Sequence, residues 1–361
     1  MKKLTKQMIK DFALSQGLDL FGVANIERFK DAPINMSPAS IFPGAKSVIV
    51  VGKRILRGNW RGIEEGTYWP SYTYFGYHGQ LNTTFIHTPM FETACLIEDS
   101  GFEAVPVYPG VTAGDFEPLG EPLRKDGIVP DVNLNIRIAG VAAGIGEMGW
   151  SKVFLTKEFG PRVRLACIIT DMELEPDPLV KPGSLCDKCM QCVKGCSACA
   201  IPHMKEKKTV KIKIDDYTYE WGDVHMGRCT MSYHGGDSMN SPFIHRDMPG
   251  WNVDVTKTDF SEDTAYKFAW TLSQQPWRKS KEHPSGWIIE GHHYLLQWGE
   301  AGSFGVEGSR GCMRSCFNHL EKKGVIEQTF KNGEFIKRDR WLLPAEVPAR
   351  KKQTAPDGGI Q

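Results

Sequence analysis

The sequence has no long hydrophobic run and almost no net charge. Its longest apolar stretches, such as Ser47–Val51 and Leu165–Thr170, are far shorter than the about 20 residues needed to cross a bilayer. The basic start of the chain is not followed by an apolar signal core, which predicts a cytoplasmic protein. The 44 basic side chains are balanced by 43 acidic ones, whereas proteins that grip phosphate backbones usually carry a basic excess. Neither a membrane nor a nucleic acid is therefore the expected partner.

Cysteine, in contrast, is abundant. Ten cysteines would indicate disulfides in a secreted miniprotein, but the cytosol keeps thiols reduced. Most of them fall into two groups along the chain, a run with the spacing Cys186-x2-Cys189-x2-Cys192-x3-Cys196 and a pair with the spacing Cys312-x3-Cys316. Grouping of this kind favours metal ligands over disulfides.

The spacing of the run suits cubane iron–sulfur clusters. Two-residue gaps let three successive cysteines wrap one cluster, while the fourth, three residues further on, serves a neighbouring cluster. Two cubanes need eight thiolates, and the chain supplies that number when Cys199 and Cys229 are included. Structural zinc is the alternative, because C-x2-C pairs also bind Zn²⁺. Cys95 and Cys167 lie in apolar helix and strand patterns, which predicts buried structural thiols.

The hydrophobic pattern predicts two domains. The first, residues 1–175, alternates helix and strand signals; the acidic stretch Asp171–Gly183 has the composition of a linker. The second, residues 176–330, carries the cysteines and a long insert rich in Trp and His at about 234–302. Residues 331–361 form a basic tail. Predicted strands are Leu18–Val23, Ser47–Val51, Phe102–Val107 and Arg164–Thr170. Predicted helices are Leu4–Ala13 (ending at Gly17), Thr88–Gly101, with Thr88 as its cap and Pro89 at its first position, and Asp131–Gly144.

Two further motifs carry a family resemblance. Ala143–Trp150 reads AGIGEMGW and Phe159–Leu165 reads FGPRVRL, and together with the cysteine run they closely resemble the reductive dehalogenases. Pro43–Val50 and Gly227–Tyr233 resemble the related epoxyqueuosine reductases. The similarity covers most of residues 15–235 and resumes around 308–317.

The resemblance implies an α+β chain. It implies a nitroreductase-like α/β domain that binds base-off cobalamin, followed by a ferredoxin-like domain with two 4Fe–4S clusters. The positions that the resemblance assigns to cofactor binding are Asn133, Gly144, Gly146, Glu147 and Gly149.

The resemblance also implies two catalytic positions. An acid stands about a dozen residues before the glycine-rich segment, and the nearest such side chain is Asp131. A basic residue stands about twenty residues before the first cluster cysteine, which is Arg164, with Arg162 on the same strand face. For Arg162 the alternative is a salt bridge to carboxylates of Asp171–Glu175. Other hydroxyl groups with the potential to reach the pocket belong to Tyr68, Tyr72, Tyr74 and Tyr77.

The sequence departs from the family at the last cysteine motif. Where the family has a third cysteine, this chain has Ser309, and it has an additional Cys199 in the first run. We therefore predict that Cys199 takes the vacated ligand position. The first cluster would use Cys186, Cys189, Cys192 and Cys316, and the second would use Cys196, Cys199, Cys229 and Cys312.

The resulting hypothesis is an anaerobic reductase that cleaves a carbon–heteroatom bond of a small molecule, foremost an organohalide. A ferredoxin or flavodoxin would donate the electrons. An epoxyqueuosine-type reductase acting on tRNA and a non-catalytic electron carrier or corrinoid-reducing activator are the alternatives. The insert, with Trp251, Trp270, Trp277, Trp287, Trp298, His245, His292 and His293, predicts either a lid over the cofactor or the core of a subdomain or homodimer contact.

Overall fold

The computed structural model describes residues 3–65, 67–68, 70–72, 75–76, 80–107, 132, 134–241, 250–265, 267 and 310–333. Its helices are α1 Lys6–Ser15, α2 Pro38–Ile41, α3 Gly58–Glu64, α4 Pro70–Tyr72, α5 His87–Glu98, α6 Ile136–Ala142, α7 Gln191–Gly195, α8 Met226–Tyr233 and α9 Cys312–Lys322. Its strands are β1 Leu20–Asn25, β2 Ser47–Arg54, β3 Ala104–Val107, β4 Glu147–Met148, β5 Phe154–Leu155, β6 Val163–Thr170, β7 Thr209–Ile214 and β8 Tyr217–Gly222. In this part of the chain, no helix has the length and apolar character that a bilayer crossing requires.

Local signals account for most of these boundaries. The Thr5 side chain accepts the Met8 N–H at the start of α1, and Gly17 follows the helix with φ 98°, as predicted. The predicted cap of α5 at Thr88 is wrong, because the helix already starts at His87. Helix α6 is shorter than predicted, since Asn135 caps it by accepting the Ile138 N–H.

A four-stranded antiparallel sheet in the order β1-β2-β6-β3 organises the first half of the chain. Alternate residues of β6 enter different cores. Leu165 and Cys167 pack towards α6 and the β7–β8 hairpin, whereas Ala166 and Ile168 pack towards α1 and α5. Helices against a purely antiparallel sheet confirm the predicted α+β class. The nitroreductase-like and ferredoxin-like subdivisions stay predictions.

The stretch predicted as a linker is firmly packed. The Asp177 carboxylate accepts the Val23 N–H at 2.8 Å and pairs with Lys6 at 2.7 Å. The β7–β8 hairpin, which follows this stretch, shares a hydrophobic core with the sheet that precedes it. The two halves therefore contact each other closely, and a division at residues 175 and 176 stays a prediction.

Helix α9 adds a third core between the two halves. Phe317 on this helix is fully buried and packs edge-to-face on Trp60, with ring centroids 5.3 Å apart. Tyr72 and Leu81 belong to the same cluster. This contact brings the neighbours of the last two cysteines against the first half of the chain.

The glycine-rich segment after α6 is shaped by close backbone packing. Gly144 has φ 71°, a conformation that favours glycine. A Cβ at Gly146 would lie well inside 3.0 Å of the Leu155 carbonyl oxygen. The backbone of β5 therefore leaves no room for a side chain at residue 146.

We expect Gly146→Ala to lower the free energy of unfolding by at least about 2 kcal/mol, because the clash is with backbone and cannot relax by rotamer change. Urea unfolding monitored by circular dichroism measures the loss. Gly58→Ala is the matched control: no atom lies within 4 Å of its added Cβ, so stability should stay constant or rise slightly. Equal effects of the two substitutions would contradict the close approach.

Candidate metal centre

Four cysteines from two distant parts of the chain meet at the start of α7. The thiols of Cys186 and Cys189, from the loop before α7, interact with the thiol of Cys192 within α7, and all three interact with Cys316 of α9. Burial, and then the neighbouring thiols, raise the pKa of Cys192 to about 12. The same two causes raise the pKa of Cys316 well above its ordinary value. This is the set that the sequence assigned to the first cluster.

The local backbone explains how these sulfurs converge. Lys188 and Met190, which separate the cysteines, are left-handed with φ 54° and 58°, an uncommon conformation for residues other than glycine. The loop therefore coils tightly. At the end of α7, a Cβ on Gly195 would clash with the Ser315 side chain of α9, so glycine is what allows the two helices to touch.

A second group lies beside the first. Cys312 of α9 interacts with Cys196 and with Cys229 of α8, and also with Cys192 of the first group. Burial, followed by the Cys196 thiol, raises the pKa of Cys229 to about 12. Three of the four ligands predicted for the second cluster are thus together.

The described part of the insert covers this second group. Val253, Val255 and Phe260 pack in one hydrophobic cluster with Cys196, Cys229 and Cys312. Gly227 at the start of α8 allows the approach, since a Cβ there would clash with the Phe260 carbonyl oxygen. The predicted Trp and His residues of the insert other than Trp251 lie outside the described residues.

The fourth ligand of the second group is predicted to be Cys199. Cys199 has φ 48° and donates its backbone N–H to the Cys196 carbonyl at 3.3 Å. Its side chain is exposed, whereas the other seven candidate cysteines are partly or fully buried. Ser309 lies outside the described residues. The ligand role of Cys199 stays a prediction.

In each group, a backbone N–H donates a hydrogen bond to one cysteine sulfur. Trp150 N–H donates to Cys186 Sγ at 3.3 Å, and Ala200 N–H donates to Cys196 Sγ at 3.4 Å. Hydrogen bonds of this type help to set the potential of iron–sulfur clusters. Thiols gathered from three helices and a coiled loop, with amide donors at their sulfurs, fit cubane clusters.

Sequence reasoning missed a charged contact at the first group. The Asp187 carboxylate accepts from Lys323 at 2.6 Å and from His319 at 2.9 Å. Although desolvation acts in the opposite direction, these hydrogen bonds lower the pKa of Asp187 to about 2. The contact fastens the end of α9 to the cysteine loop. The ligand atoms of Asp187, Cys189 and His319 lie within 4.8 Å of one another. The zinc alternative, which concerns the C-x2-C pairs, stays a prediction.

Three buried donors without acceptors form a further feature of the first half. Asn59, Trp60 and Asn82 are at most 4% exposed, and no acceptor for their side-chain N–H groups is found within the part of the chain that the structure describes. Buried polar groups in native proteins are nearly always paired, so unpaired ones call for an explanation such as a bound ligand. Trp60 touches Phe317, the residue after Cys316, which places this donor set next to the first cysteine group.

The two predicted arginines have different surroundings. Arg164 is partly buried and donates from Nε to Asn82 Oδ1 at 3.0 Å. Arg162 is fully buried under α9, donates to the Ile55 carbonyl at 2.7 Å and to Gln328 at 2.6 Å, and lies over the Phe317 ring. Burial lowers the pKa of Arg162 to about 10, so it stays charged at neutral pH. Among the described contacts, the alternative salt bridge to residues 171–175 is not formed.

The remaining predicted residues are only partly described. Close backbone packing accounts for glycine at 144 and 146, and the Glu147 carboxylate accepts the N–H groups of Gly183, Leu185 and Cys186. Tyr72 is buried and Tyr68 exposed. The cofactor-binding and catalytic roles stay predictions, and those of Asp131, Asn133, Tyr74 and Tyr77 fall outside the described residues.

Ligand substitutions should remove the two clusters separately. We expect Cys316→Ser to abolish the electron paramagnetic resonance (EPR) signal of the first cluster only, and Cys229→Ser that of the second only. Each should reduce the iron content from about eight to about four per chain. Cys199→Ala should behave like Cys229→Ser. Unchanged iron and EPR signals in Cys199→Ala would assign the fourth ligand position to Ser309 or to a cluster with three cysteine ligands. Cys167→Ser is the control, because Cys167 lies buried in the sheet core.

Comparison with known proteins confirms the resemblance to reductive dehalogenases. Over 174 residues the chain is 32% identical to tetrachloroethene reductive dehalogenase of Dehalobacter restrictus, covering 44% of this chain and 31% of the relative. A shorter match of 63 residues is 38% identical to the enzyme of the same name from Sulfurospirillum multivorans and covers 17% of this chain and 13% of that one. The longer match spans about a third of its relative's length. No protein-family model matches the chain.

Solved structures of two related enzyme types are also similar. Epoxyqueuosine reductase from Streptococcus thermophilus aligns with a TM-score of 0.43 and 15% identity, over 89% of this chain and 82% of that one. A reductive dehalogenase described as B12-dependent aligns with a TM-score of 0.44 and 14% identity, over 96% of this chain and 42% of that one.

Proposed function

We propose that this chain carries the catalytic machinery of a cobalamin- and iron–sulfur-dependent reductase that removes halide from an organohalide. The observation that carries the proposal is the convergence of two cysteine groups, whose members other than Cys199 are partly or fully buried, next to a set of buried donors for which the described part of the chain supplies no acceptor. The sequence similarity to tetrachloroethene reductive dehalogenases supplies the substrate class. The net reaction takes two electrons and one proton and converts the carbon–halogen bond into a carbon–hydrogen bond plus free halide.

The cysteine groups would hold the two clusters with the ligand sets predicted above. When bound, the clusters supply single electrons and cobalamin supplies a cobalt centre that exchanges electrons with the substrate. The chain's own residues hold the first cysteine group at α9, where Cys316 is followed by Phe317, which touches Trp60. This contact connects the first cysteine group to the donor set.

The donor set fits the rim of a corrin ring. Corrin carries amide side chains whose oxygens accept hydrogen bonds, and Asn59, Trp60 and Asn82 offer buried N–H groups that lack acceptors in the described part of the chain. Burial makes each such hydrogen bond valuable, since leaving the donor unpaired costs about 1–3 kcal/mol. These residues would therefore hold cobalamin close to the first cluster.

Arg164 would stabilise the departing halide. Its guanidinium is a permanent cation at the partly buried end of β6, and the hydrogen bond to Asn82 fixes its direction. A charge that is already oriented stabilises developing negative charge without reorganisation. The proton would come from Asp131 or from a tyrosine of the aromatic stretch, and a ferredoxin or flavodoxin would supply the electrons.

We expect Arg164→Ala to lower turnover at least about 100-fold, which is the usual cost of removing one such donor, while iron and cobalamin contents stay unchanged. Halide release from tetrachloroethene with reduced methyl viologen, under anaerobic conditions, measures the activity. Arg54→Ala is the control, because Arg54 pairs with Asp19 at 3.6 Å on the neighbouring strand and should leave turnover within twofold. Cofactor loss in Arg164→Ala would make the residue structural.

Wild-type protein that contains both cofactors but releases no halide from a panel of organohalides would favour the carrier or activator alternative.

Asn82→Ala separates cofactor binding from chemistry. We expect it to weaken cobalamin retention about tenfold, by the loss of one buried hydrogen bond, with iron content unchanged. Equilibrium dialysis of reconstituted protein gives the retention. Asn240→Ala, on the segment that follows α8, should retain cobalamin like the wild type. Equal retention in both variants would remove Asn82 from the cofactor site.

A further inference from the structure

Glu147 of β4 is buried, at 2% exposure, in contact with the chain that leads into the first cysteine group. Its Oε2 accepts the Gly183 N–H at 2.7 Å. Its Oε1 accepts the Leu185 N–H at 2.5 Å and the Cys186 N–H at 2.7 Å. Three backbone donors within four residues therefore converge on one carboxylate, and the last of them belongs to the first predicted cluster ligand.

The strand that carries Glu147 is held rigidly. Residue 147 pairs with Leu155 of β5, and the tight contact of Gly146 with the Leu155 carbonyl fixes the same place. Three residues after Glu147, the Trp150 N–H donates to Cys186 Sγ at 3.3 Å. One short segment thus contacts Cys186 twice, at its backbone N–H and at its sulfur.

Both carboxylate oxygens are used in these contacts. These hydrogen bonds differ from the cofactor-binding role that the resemblance implies. A buried carboxylate that already accepts three backbone N–H groups has little capacity to accept further hydrogen bonds from a corrin. Burying a charged group is costly unless it is compensated. The contacts that compensate this burial all come from the chain that leads into Cys186, which indicates that the carboxylate acts on the cysteine loop.

We propose that Glu147 is a positioning residue for the first cluster, which fixes the backbone that presents Cys186 and whose negative charge keeps the reduction potential of that cluster low. The inference rests on the proposed cluster binding. Its physical basis is that cluster potentials depend on nearby charge and on hydrogen bonding around the sulfurs. An added electron is disfavoured next to a negative charge in a medium of low dielectric constant.

The test is Glu147→Gln in the whole chain, isolated anaerobically. Glutamine has the same shape but no charge, and its NH₂ group replaces one acceptor in front of backbone donors. We expect the ratio of reduced to oxidised first cluster, at a fixed applied potential, to rise about tenfold, which equals a 59 mV shift for a one-electron couple. The second cluster should change by less than twofold. EPR-monitored redox titration resolves both.

Asp177→Asn is the matched control. Asp177 also accepts a backbone N–H, from Val23, but on the first-half sheet, so both cluster potentials should stay within twofold of wild type. Loss of the first cluster's signal in Glu147→Gln, with the second retained, would also support a positioning role. Two intact clusters with unchanged potentials would overturn it.

If Glu147→Gln fails to fold, a measurement on the wild-type protein still tests the inference. Hydrogen exchange of the anaerobic protein should show slow exchange at the amides of Gly183, Leu185 and Cys186, and fast exchange there would overturn the inference. A wild-type protein without two EPR-active clusters would instead overturn the proposed function. The two failures are therefore distinguishable.

Discussion

The contact between α7 and α9 determines where the cysteines lie. Gly195 lets the helices approach, and the approach places Cys312 and Cys316 among thiols that lie between residues 186 and 229 of the chain. Burial and mutual repulsion make these thiols reluctant to ionise on their own. A metal cluster reverses that balance, because it binds the thiolate form and neutralises the repulsion. The same packing that disfavours free thiolates thus favours a bound cluster.

Sequence reasoning succeeded where the information is local. The spacing of the cysteine run, the end of α1 at Gly17 and the apolar runs of β2 and β6 depend on neighbours a few residues away, and the bounds of these elements were predicted to within a few residues. The start of α5 was missed because a Thr-Pro pair suits both a cap and the first turn. The stretch before the cysteines looked like a linker because proline and acidic residues are typical of loops. Its actual partners, such as Val23 for Asp177, are 154 residues away.

The side-chain environments could not be predicted for the same physical reason. Arg162 and Arg164 are two residues apart at the start of β6, yet Arg162 is buried beneath Phe317 and Arg164 faces Asn82. This difference depends on where α9 and residues 81–85 lie, and both are tertiary features. The buried donors of Asn59, Trp60 and Asn82, for which the described part of the chain supplies no acceptor, leave no periodic signal either, because a polar side chain in an apolar surrounding is recognisable only after folding.

The glycine-rich segment shows how one motif can serve two neighbours. Gly146 is required because β5 passes too close for a side chain, and that closeness fixes β4 in place. With β4 fixed, Glu147 accepts the N–H groups of Gly183, Leu185 and Cys186, and the Trp150 N–H donates to the Cys186 sulfur. Glycine and glutamate in the motif are therefore parts of one constraint, which is to hold the cysteine loop against β4.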